Sequence, residues 1–336
     1  MSPQPSNAAP ATTMRAAVCR RYGAPDVLSV AEVPRPRPGG GELLVRVRIS
    51  AVTPTDCAAR SARPAFARLA FGLRKPRHPV LGGLVVGTVA ETGPGATGFA
   101  PGDDVVAETG AAMGAHAEYA RVSAAGALHR PPGLPEEDAA AVADGGLTAL
   151  PFLRDHARLA SGQRILVNGA SGAVGSAAVQ LARDYGAEVT GVCSGANAEL
   201  VSSLGAGEVI DYTEQDFTRV GERFDVVFDA VGTGSYGRCR RLLRPRGVYL
   251  TTVPGAAILL HTLQTRLFGN RRARLALTGL RSQAERAADL AVLTRLAVEG
   301  RLAPVVDGRF PLDGIRQAHR RVDSGRKRGT VLLTVR

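Results

Sequence analysis

Residues 164–175 read RILVNGASGAVG, a short apolar run that leads into glycines at positions 169, 172 and 175. The pattern predicts a strand at 164–168, a tight turn and a helix at 174–185, followed by a second strand at 188–193. Bare backbone N–H groups at such a turn bind a pyrophosphate, and side chains at the glycine positions would block its approach. Because all these elements occur in order, the segment predicts a dinucleotide site on a Rossmann βαβ unit rather than a tight turn that binds nothing.

Helices and strands alternate through the second half of the chain, from about residue 136. Helices are predicted at 136–153, 197–204, 236–243 and 284–299, and further strands at 208–211, 224–229 and 247–252. Such alternation indicates a parallel sheet covered on both faces. Residues 14–130 instead hold short β-branched runs punctuated by Gly and Pro, which predicts a β-rich part, with a surface loop or short helix at 60–78. A helix at 312–322 and a strand at 330–335 close the chain, and residues 1–13 are predicted to be a flexible tail.

The end of the second strand bears on which dinucleotide binds. Sites specific for NAD place Asp or Glu there for the ribose 2′-OH, whereas residues 193–197 read CSGAN. We therefore expect no carboxylate to repel a 2′-phosphate, hydrogen bonds to it from Ser194 and Asn197, and a contribution from Tyr212 after the next strand. No Arg or Lys lies in this segment to pair with the charge. The sequence favours NADPH over NADH and leaves the charge partner unidentified.

The overall charge is strongly basic. The formal net charge is +12, and all but two of the 42 basic residues are arginine. Either a surface that binds a polyanion or a general preference for arginine in the composition explains this charge. The arginines are spread along the chain, and aromatic residues amount to only 4% of it. We therefore expect no nucleic-acid partner. One cluster stands out at 266–274. We interpret it as a solvated helix face, with contact to an anionic substrate or phosphate as the alternative.

The chain shows no signature of a membrane or an oxidising compartment. No apolar run approaches the roughly 20 residues of a membrane helix, so we expect no membrane insertion. The N-terminus lacks the basic start and apolar block of a signal peptide. Four cysteines, at positions 19, 57, 193 and 239, form no Cys-x-x-Cys pair. These features favour a cytoplasmic location and argue against a disulfide framework.

Together these residues resemble the medium-chain dehydrogenase/reductase superfamily, in its zinc-lacking, quinone-oxidoreductase-like branch. The resemblance covers 14–336 and rests on the motifs at 22–23, 52–56, 81–82, 101–103, 146–149, 168–175, 180–182 and 209–212. It implies an α/β fold with a GroES-like β-rich catalytic domain and an inserted Rossmann domain with a doubly wound parallel sheet. The implied bounds are 14–130 and 305–336 for the first and 131–304 for the second. It also implies an active site in the cleft between them and a homodimer.

The resemblance also bears on zinc. Zinc-dependent relatives carry a Cys at the position of Thr53 and a Gly-His-Glu at 82–84, where this chain has Gly82, Gly83 and Leu84. Threonine, glycine and leucine side chains are not zinc ligands, and the structural-zinc lobe is absent between residues 102 and 116. We therefore expect no zinc.

The resemblance implies a set of site residues. The implied catalytic residues are Thr53, Asp56 and Thr148. The implied cofactor-binding residues are Thr148, Gly169, Ser171, Gly172, Ala173, Val174, Gly175, Ser194, Asn197, Tyr212 and Val231.

In the predicted cleft, this chain differs from the usual sequence of the branch at three positions. These are Thr53 (usually Asn), Ala58 (often Tyr) and Leu84 (often Asp). We expect Asp56 to hold its loop by hydrogen bonds, and Arg60 to be exposed, with orientation of a substrate carbonyl or carboxylate as the alternative. For Thr148 the alternative is a hydrogen bond to its own helix backbone.

These observations predict a zinc-independent, NADPH-dependent oxidoreductase that transfers hydride to a quinone or an α,β-unsaturated carbonyl compound. An aldehyde or ketone is a further possible substrate, and water is expected to supply the proton. Two alternatives stay open. One is a specialised enoyl or ketone reductase, or a dehydrogenase, acting on a biosynthetic intermediate. The other is a catalytically decayed NADPH-binding sensor.

Overall fold

The computed structural model describes residues 12–276 and 281–335, and the predicted tail lies almost wholly outside them. Residues at both ends of the chain build one mostly antiparallel sheet. Its strands are β3 (Glu42–Val52), β4 (Leu84–Thr92), β5 (Asp104–Glu108), β6 (Tyr119–Ser123), β7 (Leu128–His129), β14 (Val306–Pro311) and β15 (Thr330–Thr334). The strand order is β14-β15-β3-β4-β5-β7, and β6 also pairs with β3. A separate ribbon pairs β1 (Thr13–Cys19) with β2 (Leu28–Pro34).

The second large sheet is parallel throughout. Its strands are β8 (Arg164–Asn168), β9 (Glu188–Cys193), β10 (Glu208–Asp211), β11 (Phe224–Asp229), β12 (Leu243–Thr251) and β13 (Arg272–Leu275). They lie in the order β10-β9-β8-β11-β12-β13. The chain therefore reverses direction across the sheet between β8 and β11, which opens a crevice at the carboxyl ends of these two strands. The predicted Rossmann sheet is confirmed.

Helices cover the sheets. They are α1 (Pro54–Ser61), α2 (Ala67–Phe71), α3 (Glu136–Pro151), α4 (Ala173–Asp184), α5 (Ala198–Ser203), α6 (Tyr236–Cys239), α7 (Ala256–Leu267), α8 (Gln283–Val298) and α9 (Ile315–Asp323). Helix α3 continues as a π-helical turn at Phe152–Ala157. Its buried residues share one core with Ile49 and Leu84 of the antiparallel sheet and with Val167 of the parallel sheet. Helix α3 thus joins the half built around the antiparallel sheet to the half built around the parallel sheet.

Within the described residues, no helix combines the length and apolar character that crossing a bilayer requires.

Two parts of the sequence-based prediction are wrong. Residues 266–274 are not a solvated helix face, because α7 ends at Leu267 and Arg272 begins the edge strand β13, which pairs with β12. That strand is set by its neighbour in the sheet, and its own residues carry no clear alternation. The helix predicted at 236–243 is a single turn, α6, followed by a 3₁₀ turn at Arg240–Leu242.

Candidate functional site

The turn after β8 has the geometry that a pyrophosphate requires. Gly169 has φ of +81°, a left-handed conformation that favours glycine. A Cβ at Gly175 would lie 2.0 Å from the backbone oxygen of Gly169, so the close approach of α4 to the strand requires glycine there. No side chain caps α4 at Gly172, which leaves the first-turn N–H groups of Ala173 and Val174 open to an anion. The residues present therefore fit the diphosphate of a dinucleotide.

A network of hydrogen bonds centred on Asp229 holds the crevice between β8 and β11 in place. Asn168 donates to Asp229 Oδ1 at 2.9 Å, and the backbone N–H of Gly232 donates to the same oxygen at 2.8 Å. Tyr249 donates its hydroxyl to Asp229 Oδ2 at 2.9 Å. These hydrogen bonds hold the loop after β11 so that Val231 covers the phosphate turn. The side chain lies so close that a Cβ on Gly169 would be 2.5 Å from Val231 Cγ1.

Three predicted cofactor-binding side chains meet at the end of β9. The amide of Asn197 donates to Ser171 Oγ at 3.1 Å and to Ser194 Oγ at 3.2 Å. Tyr212 follows β10, donates its backbone N–H to Cys193 O at 3.0 Å, and keeps its ring 57% exposed. The structure therefore brings the phosphate turn and the loop after β9 together, as expected, with an aromatic face available next to them.

A carboxylate also lies here, contrary to the expectation that none approaches this loop. Asp211 ends β10, pairs with Cys193, and has Oδ2 only 2.4 Å from where a Cβ of Gly195 would stand. Its Oδ1 accepts hydrogen bonds from the hydroxyl and backbone N–H of Thr213, and these bonds hold the pKa of Asp211 below its usual range. Sequence reasoning missed Asp211 because strand pairing, not chain proximity, brings it to the site.

A positive charge that the local sequence lacks reaches this loop from the far end of the chain. Arg328 Nη2 donates to the backbone oxygen of Ala196 at 3.1 Å, and the N–H of Gly329 donates to Ser171 O at 2.8 Å. The segment before β15 thus lies against both the phosphate turn and the loop after β9. No local signal marks this arginine among so many others, so only the fold identifies it.

Two partly buried residues of opposite charge, Asp144 and Lys327, lie behind the same segment. Asp144 of α3 accepts a hydrogen bond from Thr330 Oγ1 at 2.9 Å, and Lys327 Nζ donates to Gly329 O at 2.6 Å. Burial raises the pKa of Asp144 and lowers the pKa of Lys327, and the charge of each residue opposes the shift of the other. Sequence analysis missed both residues, although Lys327 is one of two lysines and Asp144 interrupts an apolar helix face.

Thr148 lies on the part of α3 that faces the start of α4. A Cβ on Gly145 would lie 2.0 Å from Ala173 O, and residues three apart share a helix face. The Thr148 hydroxyl makes no hydrogen bond within the described residues, unlike Thr294, which donates to Leu290 O at 2.8 Å. The alternative that Thr148 bonds its own helix backbone is therefore wrong.

Thr53 and Asp56 form a capping box at the start of α1. Asp56 Oδ2 accepts from the backbone N–H of Thr53 at 2.8 Å and from its hydroxyl at 2.7 Å, while Oδ1 accepts from Gly82 N–H at 2.9 Å. The expected loop-holding role of Asp56 is confirmed, since both carboxylate oxygens bind the loop. The charge of Asp56 also raises the pKa of Asp144, after the larger effect of burial.

Arg60 is not exposed, contrary to expectation, and it does not face a substrate. Its side chain is 2% exposed, and its guanidinium donates to Gly23 O at 2.9 Å and to Asp323 Oδ2 at 2.6 Å. The partner carboxylate belongs to α9, which the sequence could not place next to α1. Arg60 therefore anchors α1 to the returning chain.

The cysteines and histidines do not form a reactive centre. All four cysteines are buried free thiols. Cys57 Sγ lies 3.4 Å from His319 Nδ1, but burial raises the pKa of the Cys57 thiol and lowers the pKa of His319 to about 2. Within the described residues, no three His, Cys, Asp or Glu side chains are grouped to hold a metal ion.

Two protein-family models match the chain. "Alcohol dehydrogenase GroES-like domain" matches residues 39–132, and "Zinc-binding dehydrogenase" matches residues 204–333. The chloroplastic quinone-oxidoreductase QR1 of Triphysaria versicolor is 31% identical over 90% of this chain and 92% of its own length. The trans-enoyl reductase pgmF of Aspergillus terreus is also 31% identical, over 88% of this chain and 87% of its own. The solved quinone oxidoreductase of Coxiella burnetii superposes with a TM-score of 0.86 at 27% identity, covering 96% of this chain and 100% of the other.

The chain therefore belongs to the medium-chain dehydrogenase/reductase superfamily, in its quinone-oxidoreductase-like branch. It is an oxidoreductase with a GroES-like domain and a Rossmann domain, as its sequence predicts.

Proposed function

We propose that this protein is a zinc-independent, NADPH-dependent reductase of quinones or α,β-unsaturated carbonyl compounds. The observation that carries the proposal is the position of Arg328, whose guanidinium lies against the loop that holds Ser194 and Asn197. A fixed positive charge at the end of the second Rossmann strand accommodates a 2′-phosphate, which NADPH has and NADH lacks.

The proposed cofactor contacts follow from the geometry. The turn 169–175 and the first turn of α4 hold the pyrophosphate, and Val231 and Thr148 border the nicotinamide end. Ser194, Asn197 and Arg328 bind the 2′-phosphate, and the exposed ring of Tyr212 packs on the adenosine. Asp211 opposes the phosphate charge, but Thr213 already holds its Oδ1. A positive Arg328 on the same loop offsets the remaining repulsion.

The two threonines have different roles in the proposed chemistry. When bound, NADPH supplies the hydride that adds to the electrophilic carbon of the acceptor. The hydroxyl hydrogen of Thr53 is committed to Asp56, and Thr53 Oγ1 already accepts from the backbone N–H of Asp56 at 3.3 Å. Its second lone pair is left to accept a hydrogen bond, such as one from an amide N–H of the nicotinamide. The unpartnered hydroxyl of Thr148 is free to donate. The protein mainly positions the reactants, and water supplies the proton.

Zinc independence is supported by the residues at the family's zinc positions. Thr53 is engaged in the capping box, and Gly83 and Leu84 carry no ligand atom in their side chains. Without a Lewis acid to stabilise an alkoxide, a simple alcohol is a poor substrate, whereas a quinone or enone is already electrophilic.

An enoyl reductase is the second candidate. It is favoured by the 31% identity to the trans-enoyl reductase pgmF over most of both chains. The small, apolar Ala58 at a predicted cleft position suits a substrate that needs shape more than polar contacts, whereas Leu84 is 4% exposed and packs in the core instead of lining the cleft. A homodimer and a cytoplasmic location remain predictions, tested by sedimentation and by cell fractionation.

The test is an NADPH-oxidation screen with quinones, enones, enoyl thioesters and aldehydes, in the presence of a zinc chelator. We expect turnover with quinones or enones that the chelator leaves unchanged. Turnover confined to enoyl thioesters selects the second candidate. Activity that the chelator abolishes and Zn²⁺ restores would overturn zinc independence, and tight NADPH binding without turnover would support the decayed sensor.

A further inference from the structure

Lys327 lies where the returning chain meets the phosphate turn. Its ammonium donates to Gly329 O at 2.6 Å, and the N–H of Gly329 donates to Ser171 O at 2.8 Å. Gly329 also forms an isolated parallel bridge with Gly172. The ammonium of Lys327 is therefore hydrogen-bonded to a residue that itself contacts the phosphate turn, just before β15 begins.

The start of β15 also lies beside the residues proposed for the nicotinamide end. The register of β15 against β3 places Thr330 at the level of Thr53. Thr330 donates to Asp144 Oδ2 at 2.9 Å, and Asp144 lies one helical turn before Thr148, on the same face of α3. Apart from Thr330, these residues are only partly buried, as Lys327 is, so each has surface left for a ligand.

The hydrogen-bonding capacity of the Lys327 ammonium is only partly used. An ammonium has three donor hydrogens and no acceptor. Within the described residues, Lys327 donates one hydrogen bond, to Gly329 O, and it forms no ion pair. A charged group with unused donors suits an oxygen atom that carries or gains negative charge.

The adjacent Arg328 points to the other end of the proposed cofactor site. Its guanidinium donates to Ala196 O, in the loop proposed for the 2′-phosphate. The pyrophosphate has the open N–H groups of Ala173 and Val174 at the start of α4. Neither phosphate group therefore requires Lys327, and the ligand left for it is the acceptor molecule beside the nicotinamide.

We propose that Lys327 is a catalytic residue, whose ammonium binds the carbonyl or quinone oxygen of the acceptor and stabilises the negative charge that this oxygen gains. The inference rests on the proposed reductase function and adds an oxyanion-binding group to it. When the hydride forms a C–H bond at the electrophilic carbon, the displaced electron pair moves to the oxygen and gives an enolate or a quinol monoanion. Water then protonates this anion, so Lys327 keeps its own proton.

Asp144 has the role of a positioning residue that keeps Lys327 charged. Burial lowers the pKa of Lys327, Asp144 of α3 and Asp307 of β14 oppose this shift, as an ionised Cys57 would, and Arg321 of α9 adds to it. Burial also raises the pKa of the Cys57 thiol, so it stays neutral. Asp307 already accepts two hydrogen bonds from Arg321, both at 2.6 Å. Asp144 is therefore the carboxylate left to balance the ammonium.

The test uses 4-nitrophenol as a probe, because its phenolate oxygen imitates the anion of the reduced acceptor and its binding needs no turnover. With the full-length protein and NADP⁺, we expect the absorbance of bound phenolate at a pH where the free phenol is mostly protonated. Lys327→Met should abolish this preference for the phenolate, and Lys327→Arg should retain part of it. Lys75→Met is the matched control, because Lys75 is the other lysine of the chain and is exposed.

The reductase assay gives a second readout. Lys327→Met should lower kcat for an enone about a hundredfold, while Tm and the Kd for NADPH change little. Asp144→Asn removes the charge that opposes the effect of burial, so the fall of kcat at high pH, where Lys327 loses its proton, should move to a lower pH. Lys75→Met should leave kcat and its pH profile unchanged.

Several results would overturn the inference. These are a parent protein that does not favour the phenolate, or a Lys327→Met variant that favours it as strongly as the parent. A higher Kd for NADPH with unchanged kcat would assign Lys327 to the cofactor, and a loss of Tm in both Lys327 variants would assign it to folding. Phenolate binding through Lys327 without reduction of any acceptor would contradict the reductase function alone. Equal reduction by the parent and Lys327→Met would contradict only the role of Lys327.

Discussion

The guanidinium of Arg328 donates a 3.1 Å hydrogen bond to the backbone oxygen of Ala196, although the two residues are 132 positions apart. The contact joins the returning C-terminal segment to the end of the second Rossmann strand. It places a positive charge at the end of this strand, which is the proposed position of the 2′-phosphate of NADPH, and the predictions on cofactor choice follow from it.

Replacing this arginine should weaken NADPH binding selectively. Arg328→Gln removes a charge-assisted contact to the 2′-phosphate, so we expect the Kd for NADPH to rise about tenfold, which corresponds to about 1.4 kcal/mol. The Kd for NADH should change little. Arg326→Gln, an equal loss of charge two positions away, is the control. A similar loss of affinity for both dinucleotides would assign Arg328 to folding instead.

Asp211→Asn should have the opposite effect. The carboxylate is held in its charged form by hydrogen bonds from Thr213, so it repels a 2′-phosphate at neutral pH. We expect a several-fold tighter Kd for NADPH, measured by titration, and no gain for NADH. Asp216→Asn is the matched control, because Thr218 lowers the pKa of Asp216 through the same kind of hydrogen bonds. Equal effects of both substitutions would point to general electrostatics.

Substitutions at two glycines of the phosphate turn should have different effects, one on protein stability and the other on NADPH binding. A Cβ at residue 175 would lie 2.0 Å from Gly169 O, so Gly175→Ala should lower the free energy of unfolding by about 1–3 kcal/mol. A Cβ at residue 172 meets only Gly169 O, at 3.5 Å, so Gly172→Ala should leave Tm nearly unchanged. Its methyl group would nevertheless obstruct the pyrophosphate and weaken NADPH binding. A large loss of Tm in Gly172→Ala would contradict this division.

Thr148 should affect turnover more than folding. Its hydroxyl has no partner within the described residues, so Thr148→Val removes a free donor from the cleft at little cost in stability. We expect kcat/KM for the acceptor to fall about tenfold, with Tm preserved, and Thr148→Ser to recover most of the activity. Unchanged kcat/KM in the valine variant would remove Thr148 from the site.

The buried His319 should make stability fall in acid. Its folded-state pKa is lowered to about 2 by burial, with His116 and Arg60 adding to the shift, while the unfolded value is about 6.5. A lowered folded-state pKa contributes stability above the unfolded pKa and loses it as the pH falls. We expect a loss of about 1.4 kcal/mol per pH unit below about 6.5, read from urea unfolding. This pH-dependent loss of stability should vanish in His319→Leu and persist in His129→Gln. An equal slope in all three proteins would contradict it.

The sequence predicts the local parts of this structure well and the tertiary parts poorly. The strand, turn and helix at 164–185 carry their own pattern, because apolar runs and glycine spacing act within a few residues. The edge strand β13 does not, since it exists only by pairing with β12. The same reason explains which residues of the candidate site could be predicted from the sequence. Asn197 and Ser171 are neighbours of recognisable motifs, whereas Asp211 and Arg328 arrive through strand pairing and the return of the chain.

The burial of Arg60 illustrates the same limit. A charged side chain is expected on the surface unless a partner is found, and its partner Asp323 lies 263 positions away. Lys327 and Asp144 likewise come near enough to influence each other only when the chain returns beside α3. Charges that meet only through the return of the chain therefore had no signal in the sequence.

The most direct test of the central claim is to compare the Kd values of NADPH and NADH with the unaltered protein. The chain contains no tryptophan, so the fluorescence of the bound nicotinamide can be followed over a low protein background. We predict that NADPH binds at least about tenfold more tightly than NADH, because Arg328, Ser194 and Asn197 bind its 2′-phosphate. Equal constants, or tighter binding of NADH, would contradict the proposed cofactor and the role given to Arg328.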